Sequence, residues 1–260
     1  MSVRSIADHA SRPNVMATLS GSALCSAARS CIGLGLRAGG RGGPFVQAIF
    51  RRMGEDKALK GASPGEMCSA IKAMAVLGGK NDSALEMLEG ELCSAKALNS
   101  LTPGDVCTLL AGLHEMFEKR AYLLLRISQR IMDRGFISVL SLEHVSCIAA
   151  AFSGLGHRDE PLFEAMQAHL LVSPAALGSS RANAESLLKS YSRFGLGSLE
   201  LGRALAPLVA AVGMQQGGGG DQGGEGGDAV TGAGGGGKYS KEGMMQLEGG
   251  DAAGDDEEEL

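Results

Sequence analysis

Ser63, Thr102, Ser141 and Ser180 lie 39 residues apart, and each opens the same apolar pattern. Ser20 opens a further copy 43 residues before Ser63, the four extra residues falling in the glycine-rich stretch Ala38 to Gly43. The aligned copies read LCSAARSCIGLGL (24–36), MCSAIKAMAVLGG (67–79), VCTLLAGLHEMFE (106–118), VSCIAAAFSGLGH (145–157) and AESLLKSYSRFGL (184–196). A fixed period of this length belongs to stacked supersecondary units, each of which needs a neighbour to cover its apolar face. The spacing therefore predicts an all-α chain. It would be an α-solenoid of about five two-helix repeats of ~39 residues. The repeats would span 20–212, with 1–19 as a partial repeat or N-terminal extension and 213–260 as a disordered, Gly-rich acidic tail.

Helix starts and stops are written into each copy. Ser63-Pro64-Gly65-Glu66 and Thr102-Pro103-Gly104-Asp105 are capping boxes with proline at the first helical position. Leu19, Leu101 and Leu140 stand five residues before Leu24, Val106 and Val145, the spacing of a hydrophobic staple. The stripe Met67, Ala70, Ile71, Met74, Leu77 recurs in later copies as Val106, Leu109, Leu110, Leu113 and as Val145, Ile148, Ala149, Phe152. Gly35, Gly78, Gly156 and Gly195 provide left-handed stops; in the third copy Phe117 stands there instead. A second helix follows, started by Asn81, Asp159 or Ser198, with Arg120 as the exception. Its apolar residues are Leu85, Leu88, Leu92, then Leu124, Ile127, Ile131, then Phe163, Met166, Leu170.

The charge is divided. Residues 1–210 carry a formal +4 and residues 211–260 a formal −9. The tail, with its glycine run and DDEEEL ending, has too little apolar surface to offset chain entropy. The stretch 1–19 resembles the end of a preceding unit, with Ile6 and Ala10 in the positions of Leu88 and Leu92. The alternative is an organelle transit peptide carrying Arg4 and Arg12. No apolar run approaches the ~18–20 residues that cross a bilayer, so no membrane partner is expected. The six cysteines lack CxxC spacing and read as small apolar residues in a reducing compartment, which argues against secretion.

Catalytic patterns are wanting. GLGLRAGG (33–40) follows a helix and has the wrong glycine spacing for a dinucleotide. His157-Arg158-Asp159 echoes a kinase loop but lacks its downstream partners. The five histidines show no metal-binding spacing. The reading is a non-enzyme with no cofactor, no metal and no small-molecule substrate.

Surface positions are then the functional candidates. Glu66, Asp105, His144 and Asn183 are register-equivalent, polar and mutually different; Ser69, Thr108, Lys72 and Lys189 lie further along the same helices. Repeats that read single-stranded RNA vary a few polar positions per unit over a fixed core. Arg51, Arg52, Arg126, Arg130 and Arg134 on second helices are candidates for backbone contact. Solvated helix starts with capping duty are the competing explanation for the first set, and a solvated face for the arginines.

MCSAIKAMAVLGGKNDSAL (67–85) and VSCIAAAFSGLGHRDEPLF (145–163) resemble the octotricopeptide-type helical repeats of organellar RNA-metabolism proteins, found also beside RAP domains and in FAST-kinase-like proteins. The resemblance spans about residues 20–210. It implies an RNA-binding α-solenoid in a mitochondrion or chloroplast, acting in transcript stability, processing or translation, with single-stranded RNA as partner. A protein-binding scaffold of armadillo or HEAT type, with a protein partner and a cytoplasmic location, is the alternative.

Overall fold

The computed structural model describes residues 9–40, 42–178 and 180–210. All regular structure among them is helical. The tail expected over 213–260 lies outside the described residues, as do Arg4 and Ile6 of the N-terminal stretch.

The long helices follow the predicted units. First helices are α2 (Gly21–Gly33), α4 (Pro64–Leu77), α7 (Pro103–Glu115), α10 (Leu142–Gly154) and α12 (Arg181–Phe194). Second helices are α3 (Gly43–Met53), α5 (Asp82–Leu92), α8 (Ala121–Met132), α11 (Glu160–Val172) and α13 (Leu199–Ala210). Each first helix packs extensively on the next first helix, and second helices meet along a sparser row. The molecule therefore has two layers. The stripes meet between them: Leu110, Ile127, Ile148 and Met166 are fully buried in one continuous core. Burying such a side chain contributes roughly 1.5–3 kcal/mol, which helices of this length need because they are marginal alone.

Three of the units also contain a third, shorter element that the two-helix expectation omitted. It is α6 (Ala95–Ser100) in the second unit and α9 (Arg134–Ile137) in the third; a 3₁₀ turn (Pro174–Leu177) takes this place in the fourth. The physical reason is a repeated apolar pair: Ala58-Leu59, Ala97-Leu98 and Phe136-Ile137 stand 39 residues apart and turn into the core. The first described helix, α1 (Pro13–Met16), matches these turns in register through buried Met16. The turn α6 packs on α8 of the following unit, as α1 packs on α3.

The caps form as their chemistry requires. Ser20, Ser63, Thr102, Ser141 and Ser180 each accept a hydrogen bond from the backbone N–H three residues on. Asn81, Asp159 and Ser198 do the same for second helices. Arg120 caps nothing. Its guanidinium instead reaches Glu118 and Glu89 at 3.5 Å and Asp82 at 4.0 Å, tying the third unit to the second. Lys119 donates to the Gly156 carbonyl at 3.2 Å, tying it to the fourth.

Phe117 holds φ +55°, the conformation that Gly35, Gly78, Gly156 and Gly195 hold at φ +63° to +68°. The turn geometry is thus imposed by the stack even where the residue resists it. A left-handed conformation costs a residue with a Cβ roughly 1–2 kcal/mol, and the Phe117 ring is 78 % exposed, so packing returns little. Phe117→Gly is expected to raise stability by about 1 kcal/mol, part of the relief being offset by glycine's freedom in the unfolded chain. An upward shift in the urea midpoint at constant slope is the readout; a downward shift would show that the ring is a stabilising contact.

Candidate functional site

The register-equivalent polar row lies at the starts of the first helices, and three of its members bind their own helix. Glu66 accepts from the Ser63 N–H at 2.7 Å and the Ser63 hydroxyl at 2.9 Å. It also accepts from the Ser22 hydroxyl of α2 at 2.5 Å. The Ser22 bond, with those from Ser63, holds its carboxyl below the ordinary range. Asp105 accepts from the Thr102 N–H at 3.0 Å and hydroxyl at 2.7 Å. His144 substitutes an imidazole for the carboxylate: the Ser141 N–H donates to Nδ1 at 3.2 Å, the tautomer with its proton on Nε2. Asn183 donates only its backbone N–H, to Ser180, at 3.3 Å. Capping is therefore the shown work of Glu66, Asp105 and His144.

One turn on, the first-helix layer shows a second row. Ser69 and Thr108 are half-buried, register-equivalent to Ser26, Cys147 and Ser186, and the Thr108 hydroxyl donates to the Gly104 carbonyl at 2.8 Å. Beyond it stand Arg29, Lys72, Ala111, Ala150 and Lys189. Lys72 is ion-paired with Glu115 of the next helix. Lys189 is exposed and has no ion pair among the described residues. Arg181 is paired with Glu185 at 2.6 Å on the same helix. The charges of this layer are of both signs.

The arginine candidates lie on the other layer. Arg51 is exposed; Arg52 pairs with Glu55 at 2.7 Å. Arg126 donates to Gln129 at 3.2 Å. Arg130 donates to Asp133 at 3.0 Å and to the Asn99 carbonyl at 3.1 Å, with its guanidinium 4.8 Å from the Phe136 ring centroid. Arg134 is exposed. The two candidate sets thus belong to opposite layers and form two surfaces instead of one site.

Two features escaped the sequence reading. The six cysteines are free as expected, but only Cys25, Cys31 and Cys68 are buried. Cys107 and Cys147 are half-buried and face each other across α7 and α10: the Cys147 thiol contacts the Cys107 carbonyl and the Cys107 thiol the His144 carbonyl, both at 3.8 Å. The nearby Cys147 thiol, together with burial, pushes the Cys107 thiol above the usual thiol range. The signal was an offset of 40 residues, one more than the repeat. The other feature is the apolar exposure of the third unit, where Tyr122, Leu125, Met132 and Val139 face solvent together with Phe117. Comparing exposed positions between copies would have found it.

Among the described residues no group of three or more His, Cys, Asp or Glu side chains is placed to hold a metal ion. No helix among them is long and apolar enough to cross a membrane. The chain matches no protein-family model, and comparison with curated proteins finds no significant relative.

Proposed function

We propose that this chain is a non-catalytic RNA-binding helical-repeat protein of the octotricopeptide-like kind, acting on organellar transcripts in their stability, processing or translation. The observation that carries the reading is the register of the first-helix layer. Each unit presents the same positions after its cap, filled by Ser26, Ser69, Thr108, Cys147 and Ser186 in one row and by Arg29, Lys72, Ala111, Ala150 and Lys189 in the next, over a core whose character does not change. A row of short hydroxyls beside intermittent cations suits bases and phosphates of an extended single strand. Glu66, Asp105 and His144 are engaged in capping, so the reading rests mainly on the following row.

A protein-binding scaffold is the second reading, favoured by one observation: Lys72 is neutralised by Glu115 and Arg181 by Glu185 within the same layer. Fluorescence anisotropy of labelled oligouridine against the full chain, across a salt series, separates the two. RNA binding is expected at low salt, weakening with a log–log slope of about −0.7 per phosphate neutralised, and Lys189→Ala reduces that slope by roughly one such increment. No binding at low salt transfers the function to a protein partner.

A further inference from the structure

The second helix of the third unit departs from its four counterparts in one consistent way. At the position of Leu125 the other units carry Gln47, Glu86, Glu164 and Arg203; at that of Tyr122 they carry Pro44, Ser83, Pro161 and Glu200. Tyr122 and Leu125 are 59 % and 47 % exposed, and Met132 lies two turns beyond them, also exposed. At about 100° per residue these three fall on one arc of α8 with Gln129, and Arg126 and Arg130 flank it. An apolar strip beside an arginine strip is therefore present on this unit alone. At the position of Arg126 the others carry Ala48, Met87, Ala165 and Ala204.

The arginines line a cleft between α8 and the short α6, with Leu98, Asn99 and Asp133. Asp133 and the Asn99 carbonyl fix the Arg130 guanidinium. The Nε atoms of Arg126 and Arg130 are nonetheless buried without a hydrogen-bond acceptor. Arg126 has no acidic partner among the described residues, and a buried charged donor left unmatched is costly. Asp133 is taken up by Arg130, so Arg126 is left in the cleft without an anionic acceptor, and the strip next to it lacks an apolar cover.

We infer that this face of the third unit docks an acidic amphipathic peptide segment of a partner protein, its apolar side chains resting on Tyr122, Leu125 and Met132 and a carboxylate entering the cleft at Arg126 and Arg130. Charge complementarity selects an acidic partner; the adjoining apolar strip selects a peptide over a polyphosphate. The surface belongs to the second-helix layer and does not depend on the RNA reading of the first-helix layer.

The test uses the full chain and a fluorescent acidic amphipathic peptide of about five helical turns, its Leu and Phe at i, i+3, i+4 and i+7 spacing and Glu or Asp elsewhere. Leu125→Glu and Arg126→Ala each install a residue that other units already carry in the same register, so the fold is retained; matching circular-dichroism melts confirm it. The expected result is binding to the parent chain, weakened about tenfold or more by either substitution, with oligouridine binding unchanged in Leu125→Glu. Three results overturn the proposal. They are no binding of the acidic peptide, equal binding to the parent and both variants, and displacement of the peptide by oligouridine, which would make the cleft a phosphate site.

Discussion

Leu110→Asp is expected to destabilise the protein by about 4 kcal/mol or more, lowering the melting temperature by roughly 10 °C. Leu110 is fully buried in the stripe of α7, where the first-helix layer meets the second-helix layer. A carboxylate there would lose its water with no counterion in reach, and the usual escape, protonation, itself demands a large free-energy cost at neutral pH. The loss is not local, because α7 packs on both α4 and α10 and so holds two inter-unit interfaces at once. Thermal denaturation followed at the helical circular-dichroism band provides the readout. A parental melting temperature would place position 110 in water and break the register of the whole stack.

Gly112→Val is expected to cost about 3 kcal/mol by the opposite route, overpacking. A Cβ at this position would stand 2.9 Å from both the Cα and the N of Lys72, which are backbone atoms of the neighbouring helix and cannot rotate away. The register-equivalent residues are Ser30, Ala73, Ala151 and Ser190, so the other units leave room for a small side chain where the third does not. The substitution would force α4 and α7 apart and disturb the Lys72–Glu115 pair that spans them. Urea denaturation should show a lower midpoint. An unchanged midpoint would mean that the two helices slide past each other at little cost, contrary to the close-packed interface.

The long helices could be read from residue order because each carried redundant signals. Ser63 and Glu66 announced a start, Met67 to Leu77 a buried face and Gly78 a stop, and the same message returned at fixed spacing. Averaging over copies removed the ambiguity that a single segment of this length would have had. The short elements were missed because α6 and α9 rest on only two apolar residues apiece, Ala97-Leu98 and Phe136-Ile137, too few for any periodicity to register. The candidate site was harder for a different reason. Glu66, Asp105 and His144 are polar, variable and regularly spaced both as cap partners and as readers of a ligand, and spacing alone does not separate the two roles. Only the hydrogen bonds from Ser63, Thr102 and Ser141 do. The second-layer arginines suffered from the lack of a layer assignment: Arg126 and Lys72 look alike in sequence, yet they occupy different faces. The apolar departure at Tyr122 and Leu125 was present in the letters throughout and became meaningful once the exposure of those positions was known.

Every extensive interface among the described helices lies inside a unit or between adjacent ones. Such a chain can lengthen or shorten by whole modules. Duplicating a stretch of one period would create one more junction of an existing kind and leave the others as they were, whereas inserting half a period would leave two greasy seams unmatched. The four extra residues near Ala38 fall in a connection between helices, which rejoins the next unit where the Ala38 N–H donates to the Leu77 carbonyl at 2.8 Å.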